Sequence, residues 1–130
     1  MRYLVDTDWV IHYLNGHAEI VSSIQEFAAQ GLALSFISLA ELYEGVFYSR
    51  DPDKSEATLQ AFLRGVELVG LDDETTRIFS RERGRLRAHG QTIGDFDLLI
   101  GATAIRHGLA ILTNNRRHFE LIQDLQIISI

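Results

Sequence analysis

The stretch Gly94-Asp95-Phe96-Asp97-Leu98-Leu99-Ile100-Gly101-Ala102-Thr103-Ala104-Ile105 sets the strongest constraint on how this chain can fold. From Leu98 to Ile105 almost every residue is apolar or small, so a helix here has no polar face and must be covered on all sides. Gly101, Ala102 and Ala104 are small enough for neighbouring backbones to approach closely. Gly108 stands where a left-handed residue ends a helix, and Leu109 to Leu112 reads as a short buried strand straight after it. Two carboxylates, Asp95 and Asp97, sit at the entry to this interior helix. Charge beside so much burial needs an explanation, either as a helix start or as chemistry.

The rest of the chain alternates strand and helix signals. Arg2 to Val5 is an apolar run, with Asp6 at its carboxyl end and a helix through Trp9, Ile11 and Leu14. Asn15-Gly16-His17 breaks that helix, and Ile20, Ile24 and Phe27 recur at helical spacing up to Gly31. Leu32 to Ile37 reads as the second strand, and Ser38-Leu39-Ala40-Glu41 has the Ser-x-x-Glu pattern of a capping box. Pro52, the only proline, marks a turn before a helix over Ser55–Arg64. Val66 to Leu71 is the third strand, Asp72 or Asp73 caps a long helix through Leu86, and the chain closes with Arg116–Leu121 and the strand Gln126–Ile130. Strands alternating with helices predict an α/β fold, a parallel sheet covered on both faces, in one domain over residues 1–130. Ligands in such folds bind outside the carboxyl ends of the strands. That rule gathers Asp6, Glu41, Asp97 and Asn115.

Composition narrows the chemistry. The chain has no cysteine, which excludes disulfides, thiolate metal sites and a thiol nucleophile. The early acid Asp6 argues against a signal peptide, and no apolar run is long enough to span a bilayer. The expectation is a cytoplasmic protein with no membrane contact. A net charge of −6 argues against broad basic binding of nucleic acid, but not against a nuclease whose acids meet a cation. Lys54 is the only lysine, so recognition of phosphate falls to arginine.

Three carboxylates from distant parts of the chain, brought to one pocket, repel one another and raise each other's pKa unless a cation occupies the gap. Oxygen ligands alone suit magnesium or manganese better than zinc or copper, and the implied reaction is hydrolysis of a phosphodiester. Each acid also has a structural reading. Asp6 or Asp8 can cap the first helix, the capping box accounts for Glu41, and Asp95 is placed to be the N-cap of the central helix. Asp97 gains about 0.3–1 kcal/mol from the helix dipole. Asn114 and Asn115 fit plain turn residues, Thr7 and Thr113 local caps. Arg116-Arg117-His118 fits a phosphate contact or a solvated helix start, and the arginines from Arg77 to Arg87 a solvated face paired with Glu74 and Glu82. The aromatic residues of the helical hairpin around Tyr43, Phe47 and Phe62 form either core or a partner groove.

Leu4-Val5-Asp6-Thr7, Ser38-Leu39-Ala40-Glu41-Leu42, Phe96-Asp97-Leu98-Leu99-Ile100-Gly101-Ala102-Thr103-Ala104 and Leu112-Thr113-Asn114-Asn115-Arg116-Arg117-His118-Phe119 resemble, in order and spacing, the four motifs of PIN-domain ribonucleases. More narrowly they resemble the VapC toxins of type II toxin–antitoxin pairs. The resemblance implies a PIN-like three-layer α/β/α sandwich around a central, mostly parallel sheet. It implies an Mg2+- or Mn2+-dependent endoribonuclease acting on structured RNA, tRNA included, and silenced by a VapB-type antitoxin. A homodimer or a toxin–antitoxin hetero-oligomer is the implied assembly. Carried over by position, Asp6 and Asp97 match the main metal-binding acids, Glu41 the third acid, and Asn115 a position where many relatives have a fourth. His118 also stands where an acid is common, and Asp95 is a substitute close by.

Two other readings compete. Asp6-Thr7-Asp8 after a strand also resembles haloacid-dehalogenase-type phosphatases, whose first Asp is a nucleophile; Lys54 is badly placed for the lysine they need. The other is a PIN-like module that only binds RNA or protein, which the missing fourth acid keeps open.

Overall fold

The computed structural model describes residues 2–130. In chain order the elements are β1 (Tyr3–Val5), α1 (Thr7–Leu14), α2 (Ala18–Ala28), β2 (Leu32–Ser35), α3 (Phe36–Phe47), α4 (Pro52–Leu63), β3 (Glu67–Val69), α5 (Asp73–Ala88), α6 (Asp95–His107), β4 (Ala110–Leu112), α7 (Arg116–Phe119) and β5 (Ile127–Ile128). The strands form one sheet in the order β3-β2-β1-β4-β5, with every pairing parallel. Leu4 of β1 lies between Ala33 of β2 and Ile111 of β4, so β1 is the centre of the sheet.

Alternation along the strands divides the core into two layers. Tyr3, Val5, Leu34 and Leu112 face α1 to α4 and pack with Trp9, Ile20, Leu42 and Leu59. Leu4, Ala33 and Ile111 face the other way, onto Leu86 of α5, Leu98 and Ile100 of α6 and Phe119 of α7. This is the α/β/α sandwich that the alternating sequence pattern predicts. Burial of each large apolar side chain in it contributes roughly 1.5–3 kcal/mol. Among the described residues no helix is long and apolar enough to cross a membrane.

Helix α6 is the interior helix expected from its composition. Leu98, Ile100, Gly101, Ala102, Thr103 and Ala104 are all buried. A methyl group at Gly101 would collide with the Ile122 side chain, so the glycine lets the segment after α7 press onto the helix. Gly108 ends α6 at φ 66°, in the left-handed region that favours glycine.

Several boundaries differ from the sequence reading. β2 stops at Ser35, whose Oγ accepts from the Ile37 amide and caps α3. The expected capping box of Ser38 and Glu41 therefore does not form: Ser38 lies one turn inside the helix, buried, and its hydroxyl has no hydrogen-bond partner among the described residues. The short Ser35 side chain reaches an unpaired amide three residues earlier than the pattern indicated, and the helix starts there. α4 likewise begins at Pro52 rather than Ser55, with Asp51 as its cap and proline in the first turn, where its missing N–H costs nothing. The cap of α6 is Gly94, not Asp95. Asp95 is the first residue inside the helix, and its carboxylate is paired with Arg83 of α5.

The two serines separate these capping assignments. Ser35→Ala is expected to destabilise the protein by about 1 kcal/mol. Ser38→Ala is expected to be neutral or stabilising, because it removes a buried unpaired hydroxyl. Urea unfolding of both variants checks this; the reverse order of stabilities would restore the capping box.

Candidate active site

The sheet order reverses at β1: β2 and β3 continue on one side, β4 and β5 on the other. The crevice at such a switch point, at the carboxyl ends of the strands, is where this fold binds ligands. The residues after β1 and β4 line a cleft of about 490 Å³ there, formed by Asp6, Thr7, Asp8, Ile11, Glu41, Asp97, Asn114 and Asn115. All four residues singled out from the sequence, Asp6, Glu41, Asp97 and Asn115, are thus brought to one place.

Each carboxylate arrives on a different element and is met there by a hydrogen-bond donor. Asp6 follows β1 directly; it occupies the N-cap position of α1 but makes no capping bond. Its Oδ2 instead accepts from the Thr113 hydroxyl just past β4, at 2.7 Å. Glu41, one turn into α3, accepts from Thr7 Oγ1 at 2.7 Å. Asp97, in the first turn of α6, has its Oδ2 2.9 Å from His118 Nδ1 on α7. With the capping box absent, Glu41 has no helix-start duty, and its one side-chain bond among the described residues, from Thr7, faces this site.

Three further residues belong to the arrangement. Asp8 accepts from the Asn114 backbone N–H at 3.0 Å and lies 3.3 Å from the Thr113 hydroxyl. It therefore ties the start of α1 to the loop after β4 instead of capping α1. Asn114 Oδ1 accepts from the indole of the fully buried Trp9 and from the Ile130 amide, so it braces the loop from behind. His118, which the sequence placed on phosphate or in solvent, touches Asp97. The recurrence of an acid in Asp6-Thr7-Asp8 was the one signal for Asp8. Nothing local in the sequence pointed to the His118 contact, which depends on α6 and α7 packing together.

Other candidates fall outside the cleft. Asp95 is engaged by Arg83 and is not among the lining residues, so it does not substitute for a fourth acid. Lys54 lines a separate, more apolar groove with Ile11, Leu14, Leu42 and Val46, which shares Glu41 with the cleft. On α5, Arg77 pairs with Asp73 and Arg81 with Glu74 as on a solvated face, but Glu82 is buried: it accepts from Arg85 and from the Gln123 N–H, and Arg85 also donates to the Leu121 carbonyl, so this pair ties α5 to the segment after α7. On the hairpin of α3 and α4, Phe62 is core, whereas Phe47 and Tyr48 are exposed.

The electrostatics of the cleft centre on Asp6. It is only 4% exposed, and its pKa is pushed up from the ordinary 3.8 to about 7. Burial is the main cause; the charges of Asp8 and Asp97 add to it, while the Thr113 hydroxyl and the Thr7 amide hold it back. Asp8 and Asp97 thus repel the Asp6 charge, but loss of water outweighs that repulsion. Among the described residues no group of three or more His, Asp or Glu side chains is gathered tightly enough to hold a metal ion by itself. The donors are nevertheless all oxygen, and a buried carboxylate that resists its own charge is relieved by a cation. These residues fit a hard divalent ion that keeps much of its water and takes one or two carboxylates.

The family model of the PIN domain matches residues 3–124. Ribonuclease VapC2 of Rickettsia felis is 32% identical over 127 residues, 96% of this chain and 95% of that protein. The tRNA(fMet)-specific endonuclease VapC of Salmonella typhimurium is 26% identical, covering 98% and 96%. The crystal structure of VapBC2 from Rickettsia felis, bound to a DNA fragment from its promoter, contains a chain that superposes with a TM-score of 0.93. Identity is 29%, over 100% of this chain and 99% of that one.

An acid whose pKa is higher folded than unfolded binds more protons in the folded state between the two values. Stability from Asp6 is therefore fully present below about pH 4 and lost as pH rises to about 7. In metal-free buffer, Asp6→Asn is expected to gain stability over the parent between pH 5 and pH 8, by an amount of order a few kcal/mol. Thermal or urea unfolding at both pH values measures it; a difference that does not change with pH would contradict the burial of a strained carboxylate.

Proposed function

The chain belongs to the PIN-domain family and, within it, to the VapC ribonucleases, and from that premise we propose that it is the toxin of a type II toxin–antitoxin pair. In this reading it is an endoribonuclease that hydrolyses phosphodiester bonds of structured RNA with the help of Mg2+ or Mn2+. The observation that carries it is the cleft at the switch point, lined by Asp6, Glu41 and Asp97, in which the buried Asp6 has its pKa pushed up to about 7.

Asp6 and Asp97 are the residues that would hold the ion, with Glu41 across the cleft. The chemistry that a bound divalent ion supplies is polarisation of the scissile phosphate and a lowered pKa for a neighbouring water. The protein's own contribution is to fix where the acids stand. The Thr113 hydroxyl holds one Asp6 oxygen and the Thr7 hydroxyl one Glu41 oxygen, so these groups are already oriented before any ligand arrives. Glu41 is the group placed to take a proton from an attacking water. Asn115, where an acid would add another negative charge, instead orients ligand or water, and that favours a single-ion site.

The substrate and partner readings rest on the relatives. The name of the Salmonella enzyme supports tRNA as the first substrate class to test. The VapBC complex of Rickettsia felis supports a VapB-type antitoxin partner, in a hetero-oligomer or around a toxin homodimer. The apolar groove that shares Ile11 and Glu41 with the cleft suits such a partner, because an occupant there also reaches the site. A cytoplasmic setting follows from the same reading.

Purified protein freed of antitoxin, incubated with total RNA and with a tRNA mixture, is expected to cut at discrete positions only with Mg2+ or Mn2+. Asp97→Asn and Asp6→Asn should each lose at least about 100-fold in rate while remaining folded, and should not arrest growth when expressed. Full cleavage by both variants would contradict the site. No cleavage by the parent with either ion would favour a PIN-like module that binds RNA or protein without cutting.

A further inference from the structure

Asp6 and Asp97 are 91 residues apart by their numbers in the chain and are joined by a run of hydrogen bonds through the turn between β4 and α7. Thr113 Oγ1 donates to Asp6 Oδ2 and accepts from the Asn115 N–H at 2.9 Å. The Asn115 side-chain amide lies 3.0 Å from His118 Nδ1, and the same Nδ1 lies 2.9 Å from Asp97 Oδ2. A carboxylate oxygen offers only lone pairs, so a contact of this length requires the hydrogen of the imidazole to sit on Nδ1. That one hydrogen is given to Asp97, so Nδ1 has none for Asn115; the link between these two residues is the backbone bond in which the His118 N–H donates to the Asn115 carbonyl at 3.2 Å. Every link then has a donor and an acceptor.

We propose that His118 is a positioning residue for Asp97, closing this chain so that the turn after β4 sets both acids at once. The role rests on the reading of Asp97 as a ligand for a divalent ion. Held through Oδ2 by His118, Asp97 keeps Oδ1 as the oxygen with no hydrogen-bond donor among the described residues. Hydrogen bonds of this kind, one step behind a ligand, orient it and tune its affinity for a metal. Arg117 beside it is exposed and His118 itself is on the surface of α7, so the contact serves the cleft more than the core. An acid at position 118 would place a second charge against Asp97, whereas an imidazole N–H supplies a donor.

Two measurements on the full chain test this. In the metal-free protein at pH 8, long-range 1H–15N spectra of the imidazole are expected to show His118 with its proton on Nδ1, and to show that preference lost in Asp97→Ala. Mn2+ affinity, measured by electron paramagnetic resonance without RNA, is expected to fall about 10–100-fold in His118→Leu. It should return most of the way in His118→Asn, whose amide nitrogen reaches close to the position of Nδ1. An Nε2-protonated His118 in the parent, or a His118→Leu protein that binds Mn2+ as tightly as the parent or more so, would overturn the proposal. Failure of the ion reading has a different signature: the parent itself binds no Mn2+, and the tautomer alone then decides whether His118 holds Asp97.

Discussion

Placing a carboxylate at the buried end of the central strand is costly, because water is removed from a charge and, among the described residues, nothing of opposite sign stands beside it. Asp6 is in that position, and its raised pKa is the measure of the conflict. Its neighbours soften the conflict without removing it. The Thr113 hydroxyl donates to it, but Asp8 and Asp97 add negative charge. A fold that keeps such a group carries a local strain that a bound cation would relieve, and the cleft beside it is open enough to admit one.

The sheet makes this arrangement possible. With β1 in the centre and the strand order reversing between β1 and β4, the chain leaves both strands at the same edge but in different directions. Asp6 and Thr113 can therefore face each other across the gap. Helix α6, buried by its composition, presents Asp97 at its first turn to the same gap, and α3 presents Glu41 from the other layer. Each acid is steadied by a donor from outside its own element: Thr113, Thr7, the Asn114 amide and His118. Three of these donors, Thr113, Asn114 and His118, come from the turn after β4 and the helix that follows it, which the packing of the two layers brings to the gap.

Much of this was legible in the sequence, for reasons that are local. The apolar run from Leu98 to Ile105 and the glycine after it dictate an interior helix and its end. The strand-end rule picks out Asp6 and the residues past Leu112. What was not legible depends on tertiary contacts. The Ser-x-x-Glu pattern at Ser38 is satisfied on paper, yet Ser35 is nearer the end of the strand and captures the first free amide. Asp95 has the form of a helix cap, but Arg83 on α5 lies within reach and draws it away from the cleft. Asp8 and His118 gain their partners only when α1 and α6 meet the turn after β4. No periodicity along the chain encodes those meetings.

A crystal grown with Mn2+ and recorded at a wavelength where manganese scatters anomalously tests the central point most directly. The expected result is one strong anomalous peak in the cleft, within bonding distance of Asp6 and Asp97 oxygens and otherwise surrounded by water. A protein that cleaves RNA but whose manganese lies away from both acids, or is not bound at all, would contradict it.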